Sequence, residues 1–518
     1  MKTHEILRNL ANCHRQQGNP AGAIAYYQKS LNIQPNCAKT YREFARFWEQ
    51  QQQEHQALTC WTQALTLDPQ WATLAEHLTL GKRWLRLGKL EQAQSYYHHI
   101  CALTPQSAVL HRQWGDALMS LQHWTEAISA YQRSLNLDPE DFTTLHQQAA
   151  CFSGLGDRAA MVDIYLKSIP LNPDFAWYYY PLFWKSLKDE NKVLAAIHQF
   201  KKTLKQAPDS LNVYINLGDA LSLQNNKNEA ILYYRQGINL MYSRNHKNSN
   251  LNPFPNVGAN PCGRPPDGRP PDGRPPDGRP STPNFIILGA QKAGTSSLYA
   301  YMTQHPQILP PLRKELEFWS WKFYHGLDWY LAQFPKLPTE GTYQTGEACP
   351  NYFDFPDTPK RLASHRPNIK FIILLRNPVN RAISHYHHWR KIHQEQDSLE
   401  VALQKNLQNL QPNSPYESVP KNYLERGLYA DPLRRWFSYF PREQFLIVQS
   451  EVFYRHPEQI LRQVYQFLGL PDYPLRDYPQ YNQGHYPPSE EKTRQLLAEF
   501  YAPYNRDLTE LLGEEFWA

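Results

Sequence analysis

Long apolar runs are missing from this 518-residue sequence. No stretch approaches the ~18 consecutive apolar residues that a helix needs to cross a bilayer. The opening residues, MKTHEILRNLANCHRQQ, carry no apolar core between a basic start and a small-residue cleavage site, so neither a membrane span nor a secretory signal is expected. Cysteine is scarce as well. The seven (Cys13, Cys37, Cys60, Cys101, Cys151, Cys262 and Cys349) are odd in number, widely spaced and without a Cys-x-x-Cys pair. That argues against a disulfide framework and a cysteine zinc site, and points to a reducing cytoplasm. An excess of one charge is also lacking: 54 Lys and Arg against 48 Asp and Glu leave a net +6. Such a balance suits an anionic ligand but not the charge asymmetry of a nucleic-acid binder. The chain is too long for one core, and two or more domains are expected.

What the first 242 residues do contain is a repeat. Pro35, Pro69, Pro105, Pro139, Pro173 and Pro208 are spaced by 34, 36, 34, 34 and 35 residues. Twelve residues before them stand Ala23, Ala57, Ala93, Ala127, Met161 and Ala196, and Ala230 opens the same column in a last repeat without the proline. Four residues further on an aromatic follows each: Tyr27, Trp61, Tyr97, Tyr131, Tyr165, Phe200 and Tyr234. A small residue and an aromatic at i and i+4 share one helix face, and the proline ends that helix. Seven helix pairs are expected over 1–243, each burying its apolar face on its neighbours. The pattern resembles tetratricopeptide repeats, most clearly in the fourth unit with Gly115, Ala127, Tyr131, Ser134 and Pro139. The resemblance implies an all-α solenoid whose concave face holds a protein or peptide. The aromatics themselves read as core packing.

From 244 to 282 the periodicity stops. Gly-Arg-Pro-Pro-Asp recurs between Gly263 and Pro280; prolines at that density prevent helix and sheet, and nothing apolar is available to bury. An extended, near-neutral linker is expected.

Residues 283–518 read as alternating strands and helices, an α/β domain. Phe285–Leu288 is an apolar run of the kind found in buried parallel strands. It enters Gly289-Ala-Gln-Lys-Ala-Gly-Thr-Ser-Ser297 and then an amphipathic helix expected from Leu298 to His305. Strand, glycine loop and helix put backbone N–H groups and a helix N-terminus around a phosphate. Gly289 and Gly294 have the spacing of the nucleotide-triphosphate pattern GxxxxGK[ST], but Thr295 stands where its lysine belongs and Lys292 lies inside the loop. The charge that would reach a γ-phosphate is missing from its usual place. A second strand, Lys370–Leu375, leads into Arg376-Asn-Pro-Val-Asn-Arg-Ala-Ile-Ser384, where Pro378 suits a first helical turn. Magnesium would call for a carboxylate near that strand tip. Arg376 suits a bare phosphate dianion instead, held through two hydrogen bonds.

FIILGAQKAGTSSL resembles the 5′-phosphosulfate-binding loop of sulfotransferases, and strand, Arg-Asn-Pro, then helix serine resembles their 3′-phosphate site. The resemblance spans almost all of 283–518. It implies a P-loop-like three-layer fold around a central parallel sheet, with 3′-phosphoadenosine 5′-phosphosulfate (PAPS) as sulfuryl donor and no metal. By that match Gln291, Lys292, Ala293, Gly294, Thr295, Ser296 and Ser297 line the 5′-phosphate, Lys292 stabilises the bridging oxygen, and Arg376 and Ser384 hold the 3′-phosphate. Lys314-Glu-Leu-Glu-Phe-Trp319 resembles the Glu-x-His-Phe-Phe segment of heparan-type and bacterial members, which makes Glu315 the general base; Glu317 replaces the family's histidine. Gly346-Glu-Ala-Cys-Pro-Asn-Tyr-Phe353 resembles the acceptor-cleft segment, and Ala348 in place of its lysine counts against a heavily sulfated glycan. Gly427-Leu-Tyr429 and Arg434–Phe440 are similar to the helix that closes the site. Asn482-Gln-Gly484-His485-Tyr486 is similar to a late loop covering the adenine and 3′-phosphate. His305, just before Pro306, is the rival base.

The expected reaction is in-line sulfuryl transfer to a hydroxyl or amine of a glycan, lipid, small molecule or peptide. Two other readings stay open: a repeat scaffold with an inactive nucleotide-binding domain, and a kinase or NTPase. The second predicts a lysine directly after Gly294 and an acidic metal ligand.

Overall fold

The computed structural model describes residues 2–71, 73–103, 105–244, 282–339, 341–391, 395, 397–410, 422–479 and 491–517. The Gly-Arg-Pro-Pro-Asp tract and the Gly484-His485-Tyr486 segment lie outside the described residues.

The first part is all helical. Its pairs are Thr3–Gln16 with Pro20–Ile33, Ala38–Gln50 with Glu54–Leu67, Leu74–Arg86 with Leu90–Leu103, and Ala108–Ser120 with Trp124–Leu137. Phe142–Gly154 with Arg158–Ser168, Pro181–Asp189 with Val193–Gln206, and Leu211–Leu223 with Lys227–Arg244 complete the series. The small-residue column is buried throughout, and Tyr27, Tyr97, Tyr131 and Tyr234 beside it are fully buried. A glycine on the first helix makes room for that ring: a Cβ on Gly115 would lie 2.5 Å from Tyr131, and one on Gly218 2.3 Å from Tyr234. The tyrosine hydroxyl stays satisfied by reaching the residue after that glycine, Asp116 at 2.8 Å and Asp219 at 2.6 Å. Between the fifth and sixth pairs the period is filled by two short 3₁₀ turns, Ile169–Leu171 and Trp177–Tyr179. Trp177 is buried there.

The chain packs into two compact units, Met1–Asn172 with Leu182–Gln199, and Pro173–Pro181 with Phe200–Ala518. The last helix pair thus belongs with the α/β layer. Trp329 Nε1 donates to Ser222 Oγ (2.7 Å), the Tyr242 hydroxyl donates to the Pro310 carbonyl (2.9 Å), and the Tyr234 and Trp329 rings meet edge to face at 5.6 Å.

Four parallel strands, β1 (Phe285–Gly289), β2 (Gly346–Ala348), β3 (Lys370–Leu375) and β4 (Phe445–Gln449), form a sheet in the order β2-β1-β3-β4. Phe285 sits beside Gly346 on one side and Lys370 on the other, and the β1–β3 register slips between Ile287 and Gly289, where the glycine loop departs. β1 is buried along its whole length and β3 everywhere except Lys370. Helices cover the strands, which is why both read as unbroken apolar runs. Each fully buried Ile or Leu contributes roughly 1.5–3 kcal/mol. The helix after the loop differs from expectation. It runs Thr295–Met302, and all of it except Ser296 is buried. Gly294, at φ +100°, caps it early; the chain turns out of the helix at Thr303, ahead of Pro306, which disfavours helix in the preceding residue.

Candidate active site

The glycine loop is tied down from three directions. The Ala290 N–H donates to the Leu374 carbonyl of β3 (2.6 Å), and the Ser450 hydroxyl donates to the Ala293 carbonyl (2.7 Å). Tyr454 shares a side-chain hydrogen bond with Ser297; burial pushes its hydroxyl up despite that bond and the nearby charge of Arg376. Lys292 and Gly294 both have left-handed backbones (φ +69° and +100°). A Cβ on Gly294 would stand 2.8 Å from the Tyr454 hydroxyl, so only a bare Cα fits this turn. The first N–H groups of Thr295–Met302, a buried helix, open beside this loop, the arrangement that suits an anion.

Arg376 follows the tip of β3, and its Nη1 donates to the Lys292 carbonyl (2.8 Å). Asn377 caps the next helix, Pro378–Lys391, with its Oδ1 accepting from Val379 and Asn380 N–H, and its own N–H donates to Glu451 (2.9 Å). Ser384 is buried on that helix. The two expected phosphate motifs therefore meet through Arg376 and Lys292. Gln291 is half-buried, and its Oε1 accepts from Arg426 Nη1.

The Lys314-Glu315 turn faces the same loop. Lys314 is buried, and its Nζ donates to Ser296 Oγ (2.6 Å) and pairs with Glu315 Oε1 (2.9 Å). A single side chain thus links the candidate base to the helix that follows the glycine loop. His305 is placed otherwise. Its Nδ1 accepts from the Gln307 N–H (3.1 Å) and its Nε2 donates to the Pro471 carbonyl (3.0 Å), so both ring nitrogens serve the fold.

Residues 282–483 match the sulfotransferase domain family, and residues 4–37, 108–141 and 211–240 match tetratricopeptide repeats. The C-terminal part is a sulfotransferase domain. It is similar to the human bifunctional heparan sulfate N-deacetylase/N-sulfotransferase 3, with 31% identity over 261 residues, 44% of this chain and 30% of that protein. The membrane-associated sulfotransferase kil1 of Dictyostelium discoideum is 25% identical over 310 residues, 45% of this chain and 66% of that protein. A solved sulfotransferase from Alicyclobacillus acidocaldarius is 31% identical, covering 45% of this chain and 97% of its own, with a TM-score of 0.38. The chain spans less than a third of the length of the human relative.

Several residues of the sulfotransferase domain were not singled out from sequence. Lys314 carried no role of its own in the Lys314–Trp319 segment, whereas it is buried and joins Ser296 to Glu315. Arg426, one residue before Gly427-Leu-Tyr429, is half-buried and bonds both Gln291 and Asn351 (3.2 Å); desolvation, with Arg381 nearby, holds its pKa down at about 10 against the pull of Asp354. His385 is buried, and desolvation together with Arg381, Arg426 and Lys292 holds its ring well below the usual histidine range. Glu347 of β2 accepts from Tyr330 (2.6 Å), Tyr352 (3.1 Å) and the Leu316 N–H (3.2 Å). Burial raises its carboxyl to about 7 in spite of these bonds. No local pattern marks these charges: the Ser296 partner of Lys314 lies 18 residues away and the Gln291 partner of Arg426 135 residues away. Among the described residues no helix is long and apolar enough to cross a membrane.

Proposed function

We propose that the domain transfers a sulfuryl group from PAPS to a hydroxyl or amine of an acceptor. The observation that carries this reading is the Lys314 bridge between Ser296 and Glu315, which places a carboxylate one side chain away from the anion loop. In the proposed step the acceptor oxygen or nitrogen bonds to sulfur while the bond from sulfur to the 5′-phosphate oxygen breaks. The acceptor proton passes to Glu315, and the electron pair of the broken bond stays on 3′-phosphoadenosine 5′-phosphate (PAP). Lys292 and the loop N–H groups stabilise that leaving charge; preorganised donors of this kind are worth about 3–4 kcal/mol each. Arg376 and Ser384 grip the non-reacting 3′-phosphate and position the sulfur. Gln291 and Ala293–Ser297 complete the 5′-phosphate cradle.

The helical array recruits a protein or peptide, and an acceptor tethered there gains effective concentration. We infer a reducing compartment such as the cytoplasm from the odd number and wide spacing of the cysteines. The test is transfer of label from [35S]PAPS by the full chain to a panel of N-desulfated heparin, an amino sugar, a phenol and a tyrosine peptide. Labelled product that disappears in Lys292→Ala supports the reading. Absence of transfer together with magnesium-dependent ATP hydrolysis would replace it with an NTPase.

A further inference from the structure

The turn that carries Glu315 is held from outside the α/β layer. Arg313, two residues upstream, is buried and grips Asp219 of helix Leu211–Leu223 at two points, Nη1 to Oδ2 (2.5 Å) and Nη2 to Oδ1 (2.8 Å). Its guanidinium lies 5.3 Å from the Tyr178 ring centre and 5.9 Å from that of Tyr234. Leu312 packs on the bare backbone of Gly237, where a Cβ would lie 3.3 Å from its Cδ1, and Pro310 accepts from Tyr242. Residues 310–313 thus rest on the last helical repeat.

Asp219 is a recurrent position put to a second use. In several pairs the tyrosine of the second helix reaches the residue fifteen before it: Tyr27 to Asn12 (2.6 Å), Tyr131 to Asp116 (2.8 Å), Tyr234 to Asp219 (2.6 Å). Burial pushes the Asp116 carboxyl up, its tyrosine bond notwithstanding. At Asp219 burial acts the same way, but the Arg313 guanidinium, with Lys322 and the Tyr234 hydroxyl, outweighs it and holds the carboxyl below its ordinary value. A bidentate Arg–carboxylate bond fixes direction as well as distance.

The Glu315 turn needs such an anchor. Its φ of +60° is left-handed, a strained conformation for a residue with a side chain, and it persists only where the surroundings over-determine it. Downstream, the Glu315 N–H is held by the Ala348 carbonyl (3.2 Å) and the Leu316 N–H by Glu347 (3.2 Å). Upstream, the hold comes from Arg313. We infer that Asp219 and Arg313 are positioning residues for sulfuryl transfer, so that the terminal helical repeat completes the active site instead of merely tethering it.

The inference rests on Glu315 acting as the base, so Glu315→Gln is measured alongside. Two full-length variants test it: Asp219→Asn keeps the shape and removes the charge, and Arg313→Lys keeps the charge and removes the two-point bond. Turnover of PAPS is followed with the fastest acceptor of the panel, or with water. Both variants are expected to lose about 10–100-fold in kcat, with donor KM and PAP affinity within about twofold of the parent. Amide exchange should quicken over 314–318 and stay unchanged in β1. Parental kcat in a folded variant overturns the inference, as does a loss of PAP affinity that parallels kcat. If Asp219→Asn does not fold, Arg313→Lys decides by the same readouts; failure of both to fold reduces the pair to a stabilising contact and also overturns it. Full activity in Glu315→Gln removes the base reading itself. An inactive Glu315→Gln beside normal Asp219→Asn and Arg313→Lys removes only the coupling.

Discussion

At the scale of single residues, the charge proposed to hold the donor is separate from the charge proposed to move the proton. Lys292→Ala should lower kcat by about 10²–10³-fold, the cost of deleting one preorganised donor at a developing oxyanion. Steady-state rates check it, and a change confined to KM would count against a role in the reacting centre. Glu315→Gln should cost about 10²–10⁴-fold in kcat and leave PAP affinity unmoved, since the amide cannot accept the proton. Glu347 gives a prediction about pH. Its carboxyl titrates near 7 in the folded chain, against an ordinary value of 4.5. Folding therefore takes up a proton, and the favourable contribution is complete below pH 4.5 and lost as pH rises through 7, about 3 kcal/mol in all. Glu347→Gln should flatten the fall in unfolding free energy across that window. An unchanged slope would show that another group titrates there.

At the scale of elements, the close approach of paired helices decides the sign of a substitution. By helix propensity alone, Gly115→Ala should stabilise by about 1 kcal/mol. The added Cβ would meet Tyr131 at 2.5 Å, and overpacking costs about 1–3 kcal/mol. The net expectation is a lower thermal midpoint for the array; a higher one would mean that Tyr131 moves aside freely. The helix pairs were legible because small residue, aromatic and proline recur in fixed columns. The strands β1 and β3 were legible because burial on both faces leaves unbroken apolar runs. β2 was not, since three residues, one of them the charged Glu347, carry no strand pattern. The Thr295–Met302 helix was read one turn late because Thr and Ser at its start look like loop residues until Gly294 is seen to cap it.

At the scale of the molecule, the division into repeats and transferase seen in sequence does not coincide with the packing. The proline-rich tract separates the two in sequence, yet the second compact unit begins inside the repeats, at Pro173–Pro181 and then Phe200 onward. Asp219 and Arg313 lie 94 residues apart, and no local pattern pairs them. The glycine-loop and Arg-Asn-Pro motifs, by contrast, are local: each is one strand, one turn and one helix, so the contact of Arg376 with Lys292 joins two residues singled out from sequence, whereas Lys314 and Arg426 carry no such local pattern. The central claim is that this pair of motifs binds a nucleotide with a 3′-phosphate and no requirement for magnesium. Calorimetry of the full chain with PAP, ADP and ATP, each with and without magnesium, tests it most directly. The account predicts tight, magnesium-independent binding of PAP over ADP and ATP, weakened in Arg376→Ala. Preference for ATP with magnesium, or PAP binding indifferent to Arg376→Ala, would contradict it.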